Sequence, residues 1–108
     1  MTPEVDLTTF AAAHAEGAFV VDVREVGEYT SGHVPGAVLM PLATVPAGIP
    51  ELPRGRPVYV ICASGNRSRS ATDWMRSQGV DAHSVAGGTG AWARSGRPLE
   101  TGRSQNVS

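Results

Sequence analysis

The sequence predicts an α/β domain with a mainly parallel sheet and helices on both faces. Apolar strand-like runs alternate with helix-like segments along the chain, and glycines stand where those segments would stop. Two of the runs, Ala18-Phe19-Val20-Val21-Asp22-Val23 and Val58-Tyr59-Val60-Ile61, show almost no polar alternation. Such a strand is covered on both sides, as in parallel sheets flanked by helices. At 108 residues the chain is expected to form one domain, residues 1–108, large enough for a core without disulfide staples.

Each element follows from local chemistry. Thr8 or Thr9 is placed to cap a helix over Phe10 to Glu16, with Gly17 as its stop. The first buried strand, Ala18 to Val23, comes next. Arg24 to Ser31 reads as a short helix ended by Gly32. His33-Val34-Pro35-Gly36 is a turn, since proline fixes φ and glycine accepts positive φ, and Ala37 to Met40 is a short strand. From Pro41 to Pro57 five prolines leave room only for a helical turn at Leu42 to Val45. Val58 to Ile61 is the central strand. Ser68 to Gln78 is the clearest helix, with Ala71, Trp74 and Met75 at core spacing and Gly79 as its stop. Val80 to Val85 is the last strand, and Gly87-Gly88-Thr89-Gly90 introduces a short helix holding Trp92, with both tryptophans expected as core anchors. The polar tail Thr101 to Ser108 is expected to fray.

Composition removes several function classes. A formal charge of −1 with scattered charged residues offers no basic face for nucleic acid. The apolar runs fall far short of the ~20 residues of a membrane helix, and Met1-Thr2-Pro3-Glu4 has no export character. One cysteine excludes an internal disulfide framework and suits a reducing compartment, so a cytoplasmic location is expected. His14, His33, His83 and Cys62 are too scattered for a zinc site. Gly87 to Gly90 lacks the offsets of a dinucleotide loop and reads as a tight turn. Neither metal nor cofactor is expected.

The chemistry concentrates at Cys62, which opens the run Cys62-Ala63-Ser64-Gly65-Asn66-Arg67-Ser68 between the central strand and the clearest helix. A strand delivering a tight loop into a helix N-terminus aims backbone N–H groups and the positive end of the helix dipole at one spot. A thiol of ordinary pKa near ~8.5 is only about 3% thiolate at pH 7, and a depression of about two units, roughly 2.7 kcal/mol, makes the thiolate predominate. Gly65 lets the backbone curl closely. Arg67 offers a planar, permanently charged fork for an oxyanion, or a structural ion pair with Asp22 or a surface carboxylate. Ser64 and Ser68 supply hydroxyl donors, although Ser68 also suits a helix cap. Asp22 and Arg24 either border this pocket or tie strand ends together, with the bracing role favoured. His33 reads as a hydrogen-bonded brace, and Asp73 lies on the solvated side of its helix.

Four stretches, Asp22-Val23-Arg24-Glu25, Gly32-His33-Val34-Pro35-Gly36-Ala37, Cys62 to Ser68, and Gly87-Gly88 followed by Trp92, resemble the rhodanese homology domain of single-domain sulfurtransferase type. The resemblance spans about Val5 to Leu99. It implies a small α/β fold around a parallel sheet of about five strands, and transfer of a sulfane sulfur through a cysteine persulfide. It makes Cys62 the sulfur carrier and Arg67 its catalytic partner, with Ala63, Ser64, Gly65, Asn66 and Ser68 binding the donor. The implied partners are a small sulfur donor such as thiosulfate, and cyanide, a thiol or a protein as acceptor. Related cysteine phosphatases of similar fold place one residue more between nucleophile and arginine, whereas only Ala63 to Asn66 intervene here. The shorter ring favours a sulfur atom over a phosphoryl group. The alternative is a rhodanese-like binding or sensing module that uses its cysteine little or not at all.

Overall fold

Successive side chains of a strand point to opposite faces, so an unbroken apolar run feeds two cores at once. The computed structural model, which describes residues 2–102, shows this directly. Strands β1 (Glu4–Val5), β2 (Phe19–Asp22), β3 (Val38–Leu39), β4 (Val58–Ile61) and β5 (Ala82–Val85) form one sheet in the order β1-β5-β4-β2-β3. Every pairing is parallel. On one face Val21, Val58, Val60 and Ala82 pack with Ala71 and Met75; on the other Val20, Ile61 and Val85 pack with Phe10, Tyr29 and Trp92.

The helices are α1 (Leu7–Ala15), α2 (Val26–Ser31), α3 (Val45–Gly48), α4 (Asn66–Ser77) and α5 (Gly88–Arg94). The cap of α1 is Asp6 rather than Thr8 or Thr9: its carboxylate accepts the Thr9 N–H at 2.8 Å, and a negative charge suits a helix N-terminus. Strand β1 escapes sequence reading because it is two residues long and gains its identity only by pairing with β5 at the sheet edge. Helix α2 starts two residues later than expected, since Asp22 holds Arg24 outside it and Glu25 and Glu28 form a capping box. The proline-rich segment is more helical than one turn, with 3₁₀ turns at Leu42–Thr44 and Ile49–Glu51 flanking α3. Pro46 and Pro50 sit in the first turns of successive short helices, where a missing N–H costs nothing.

Two further expectations change. The buried stripe of α4 is Ser68, Ala71, Thr72 and Met75, which leaves Trp74 off the stripe and 46% exposed rather than in the core. The tail does not leave the body at Thr101: His33 and Glu100 exchange backbone bonds of 2.8 Å in both directions, and the Gly102 N–H donates to the Thr30 carbonyl. Residues 103–108 of that expected tail lie outside the described residues.

Asp22, at the end of β2, is fully buried and receives the Arg24 backbone N–H at 3.0 Å as well as its guanidinium at 2.9–3.2 Å. Arg24 also donates to the Gly32 carbonyl at 2.8 Å, so the pair ties β2 to the end of α2. His33 is likewise buried, donating from Nδ1 to the Tyr29 carbonyl and stacking on the Tyr29 ring at 3.7 Å. Removing one partner from a buried ion pair strands the other charge, so Asp22→Ala is expected to cost about 3–5 kcal/mol in urea denaturation. A loss below about 1 kcal/mol would show that the brace is dispensable.

Candidate active site

The sheet order creates a crevice at one place. From β2 the chain moves to β3 on one side, and from β4 it moves to β5 on the other, so the connections leaving these adjacent strands diverge. In parallel sheets that divergence, at the carboxyl ends, is where ligands sit. Cys62 follows β4 directly and so stands at that divergence.

Helix α4 begins at Asn66, two residues before the expected Ser68, and its cap residue is Gly65 at φ +118°. Only glycine adopts that angle without strain, and it brings no side chain to accept the first helical N–H groups. The Cys62 sulfur takes that task. Its Sγ accepts the Gly65 N–H at 3.1 Å and the Ser68 N–H at 3.3 Å. Burial pushes the thiol pKa up, yet the Ser68 hydroxyl and the Ser68, Gly65 and Ser64 amides outweigh it, and the net shift is downward. Each bond to a charged acceptor is worth about 1.5–3 kcal/mol, so a few of them offset a desolvation cost of several.

Ser68 does not cap the helix as proposed for it. Its hydroxyl stands 3.5 Å from Sγ, donates to the Gly65 carbonyl at 3.1 Å, and shares a 2.8 Å bond with the Ser84 hydroxyl. Ser68 and Ser84 are both fully buried. Ser84 was not singled out from the sequence; the available signal was a hydroxyl in the apolar register of the last strand. When the sulfur carries a negative charge, the Ser68 proton turns to it while Ser84 donates to Ser68.

Gly87 and Gly88 do more than turn the chain. The first turn of α5 donates from Thr89 to the Cys62 carbonyl at 2.8 Å and from Gly90 to the Ala63 carbonyl at 3.0 Å. With the carbonyls anchored there, the loop amides are left facing the sulfur. A Cβ on Gly88 would overlap the Cys62 carbonyl oxygen and lie 2.7 Å from that of Ala63.

Arg67 lies in the first turn of α4 and does not present an open fork. Its two terminal nitrogens bind Glu28 of α2 at 2.7 and 2.9 Å, a bidentate pair spanning the crevice. The Arg67 bonds, followed by the Glu25 N–H, hold the Glu28 carboxyl at about 2, and the Glu28 partner raises Arg67 in turn. A Cys62 thiolate also favours the Arg67 cation. Ser64 and Asn66 form an exposed rim, whereas Cys62 itself is 1% exposed and Ala63 half-buried. Asp22 and Arg24 satisfy one another, and Asp73 is exposed, bound by the Thr2 hydroxyl. Among the described residues no three His, Cys, Asp or Glu side chains converge on a metal site. A surface cleft of about 190 Å³ lies at the opposite, amino end of β2 and β4, beside Ala18, Arg56 and Pro57, away from Cys62.

The fold and site together define a small parallel α/β domain that presents its one thiol in an amide-lined loop at the crevice of the sheet. The chain belongs to the rhodanese-like domain family, which matches residues 7–95. It is 33% identical over 102 residues to a sulfurtransferase of Allochromatium vinosum, covering 92% of this chain and 95% of that protein. The rhodanese-like domain protein from Staphylococcus aureus has the same architecture, with a TM-score of 0.84, 29% identity and coverage of 94% and 99% of the two chains. A thiosulfate sulfurtransferase from Pseudomonas aeruginosa gives a TM-score of 0.80 at 28% identity, this chain spanning 94% of itself but 21% of that protein.

Two outcomes test the cradle. The pH profile of Cys62 alkylation is expected to have its midpoint below the ordinary ~8.5, and Ser68→Ala to move it up by about one unit. Gly88→Ala is expected to raise the same midpoint and lower the melting temperature together; an unmoved midpoint in both variants would dismiss loop control of the thiol.

Proposed function

We propose that the protein is a sulfurtransferase that carries a sulfane sulfur as a Cys62 persulfide. The observation that carries this reading is the sulfur of Cys62 accepting the Gly65 and Ser68 amides at the start of α4, an arrangement that stabilises negative charge on that atom. Its thiolate attacks the sulfane sulfur of a donor such as thiosulfate or a persulfide. The donor's S–S bond breaks, sulfite or a thiolate leaves with the electron pair, and Cys62–S–S⁻ remains. A second nucleophile, cyanide or a thiol of a small molecule or protein, then takes the outer sulfur and restores the thiolate.

The residues divide this work as follows. Gly65 and Ser68 hold the inner sulfur. The Asn66 and Arg67 amides, first in α4, have no acceptor within the helix and suit the outer sulfur. Ala63 and Ser64 complete the ring, and the Arg67 charge favours both anionic states. The cover on this sulfur suits transfer of one small atom rather than of a bulky group. The reaction needs neither metal nor cofactor, and a lone thiol suits a reducing compartment such as the cytoplasm. No helix among the described residues is long and apolar enough to cross a membrane.

The same cover on Cys62 favours a second reading, a binding module whose thiol stays idle. Mass spectrometry separates the two. Incubation with thiosulfate or glutathione persulfide is expected to add one sulfur, about 32 Da, to the native protein and nothing to Cys62→Ala. No gain with either donor, together with slow alkylation, would leave the binding module standing.

A further inference from the structure

Resting on the sulfurtransferase reading, we infer that Glu28 is a specificity-determining residue: by occupying the Arg67 fork it turns the crevice toward low-charge persulfide donors and away from the thiosulfate dianion. Three observations support it. The contact is bidentate at 2.7 and 2.9 Å, the geometry in which a guanidinium is best satisfied by two oxygens. Those are the two directions an oxyanion would use. Glu28 is also held from its own side, its Oε1 accepting the Glu25 N–H at 3.0 Å within the capping box, so displacing it breaks a helix start as well as an ion pair. The pair joins the β2 and β4 connections across the crevice, with Arg67 in the helix turn whose Ser68 N–H the Cys62 sulfur accepts.

Charge decides the consequence. With Glu28 in place the Arg67 cation is neutralised, and an incoming dianion meets a carboxylate as well as a sulfur that is itself negative. An organic persulfide, R–S–SH, brings no more than one charge and needs no guanidinium. Cys62–S⁻ attacks its outer sulfur, the S–S bond breaks, R–S⁻ departs with the electron pair, and Cys62–S–SH forms with no net oxidation or reduction. A further cation stands near the loop: the Arg94 guanidinium of α5 lies beside Gly90, next to the Ala63 carbonyl.

Donor choice is read as the ratio of kcat/KM for thiosulfate to that for glutathione persulfide. The unaltered protein is expected to favour glutathione persulfide. Glu28→Gln keeps an acceptor for the Glu25 N–H while removing the charge, and is expected to raise the ratio about fivefold through a lower KM for thiosulfate, roughly 1 kcal/mol at an exposed pair. Thermal unfolding of the variant confirms that it remains folded. An equal fall for both donors would mean that Glu28 only positions Arg67, and would overturn the proposal. So would a thiosulfate preference in the unaltered protein that Arg94→Gln abolishes, since the oxyanion would then sit on the other guanidinium. Failure of the sulfurtransferase reading itself looks different, with no persulfide formed from either donor in any variant.

Discussion

The sulfur of Cys62 is the N-terminal cap of α4, and much of the structure follows from that substitution. A helix start ordinarily finds its acceptor in a serine, threonine or aspartate side chain. Here Gly65 occupies the cap position, and the acceptor arrives from the end of a neighbouring strand. The bonds that satisfy the helix are therefore the same bonds that stabilise a thiolate. Folding the loop and stabilising negative charge on the sulfur are one event, and neither requires a histidine base.

Such a ring has to be held from outside, because amides converging on an anion leave their carbonyls pointing the other way. Helix α5 answers this through its own first turn, whose N–H groups receive the Cys62 and Ala63 carbonyls. Gly88 is glycine because the two backbones meet too closely for a Cβ. Beneath the sulfur, Ser84 and Ser68 form a short, fully buried hydroxyl chain. The Asp22–Arg24 brace secures the opposite wall by joining β2 to α2. Three local devices thus serve one atom.

How much of this was legible in the chain depends on the range of the interaction. The strands at Val58–Ile61 and Phe19–Asp22 announce themselves through unbroken apolar runs, and the loop from Cys62 to Ser68 through its thiol, glycine and arginine. Local competition shifted boundaries: Asp6 won the α1 cap, and Asp22 held Arg24 out of α2. Trp74 misled because a large aromatic at near-helical spacing reads as core, whereas the stripe through Ala71 and Met75 is already complete without it. Ser84 and Glu28 were invisible for another reason. Each acts through a partner distant in sequence, Ser68 and Arg67, and only the parallel sheet brings them together.

The Arg67–Glu28 pair shows why the motif alone underdetermines the chemistry. An arginine four residues beyond a nucleophile's neighbour suggests an oxyanion receptor, and the loop contains nothing to contradict that reading. The carboxylate that fills the fork comes from the other side of the crevice, where a capping box already needs a glutamate for reasons of helix stability. One side chain thus completes a helix start and neutralises the cation beside the thiol. Because the two tasks share an atom, Oε1 of Glu28, loosening the pair also weakens the start of α2. On the proposed sulfurtransferase reading, the charge that meets a donor is therefore set by a residue whose first duty is structural, the start of α2.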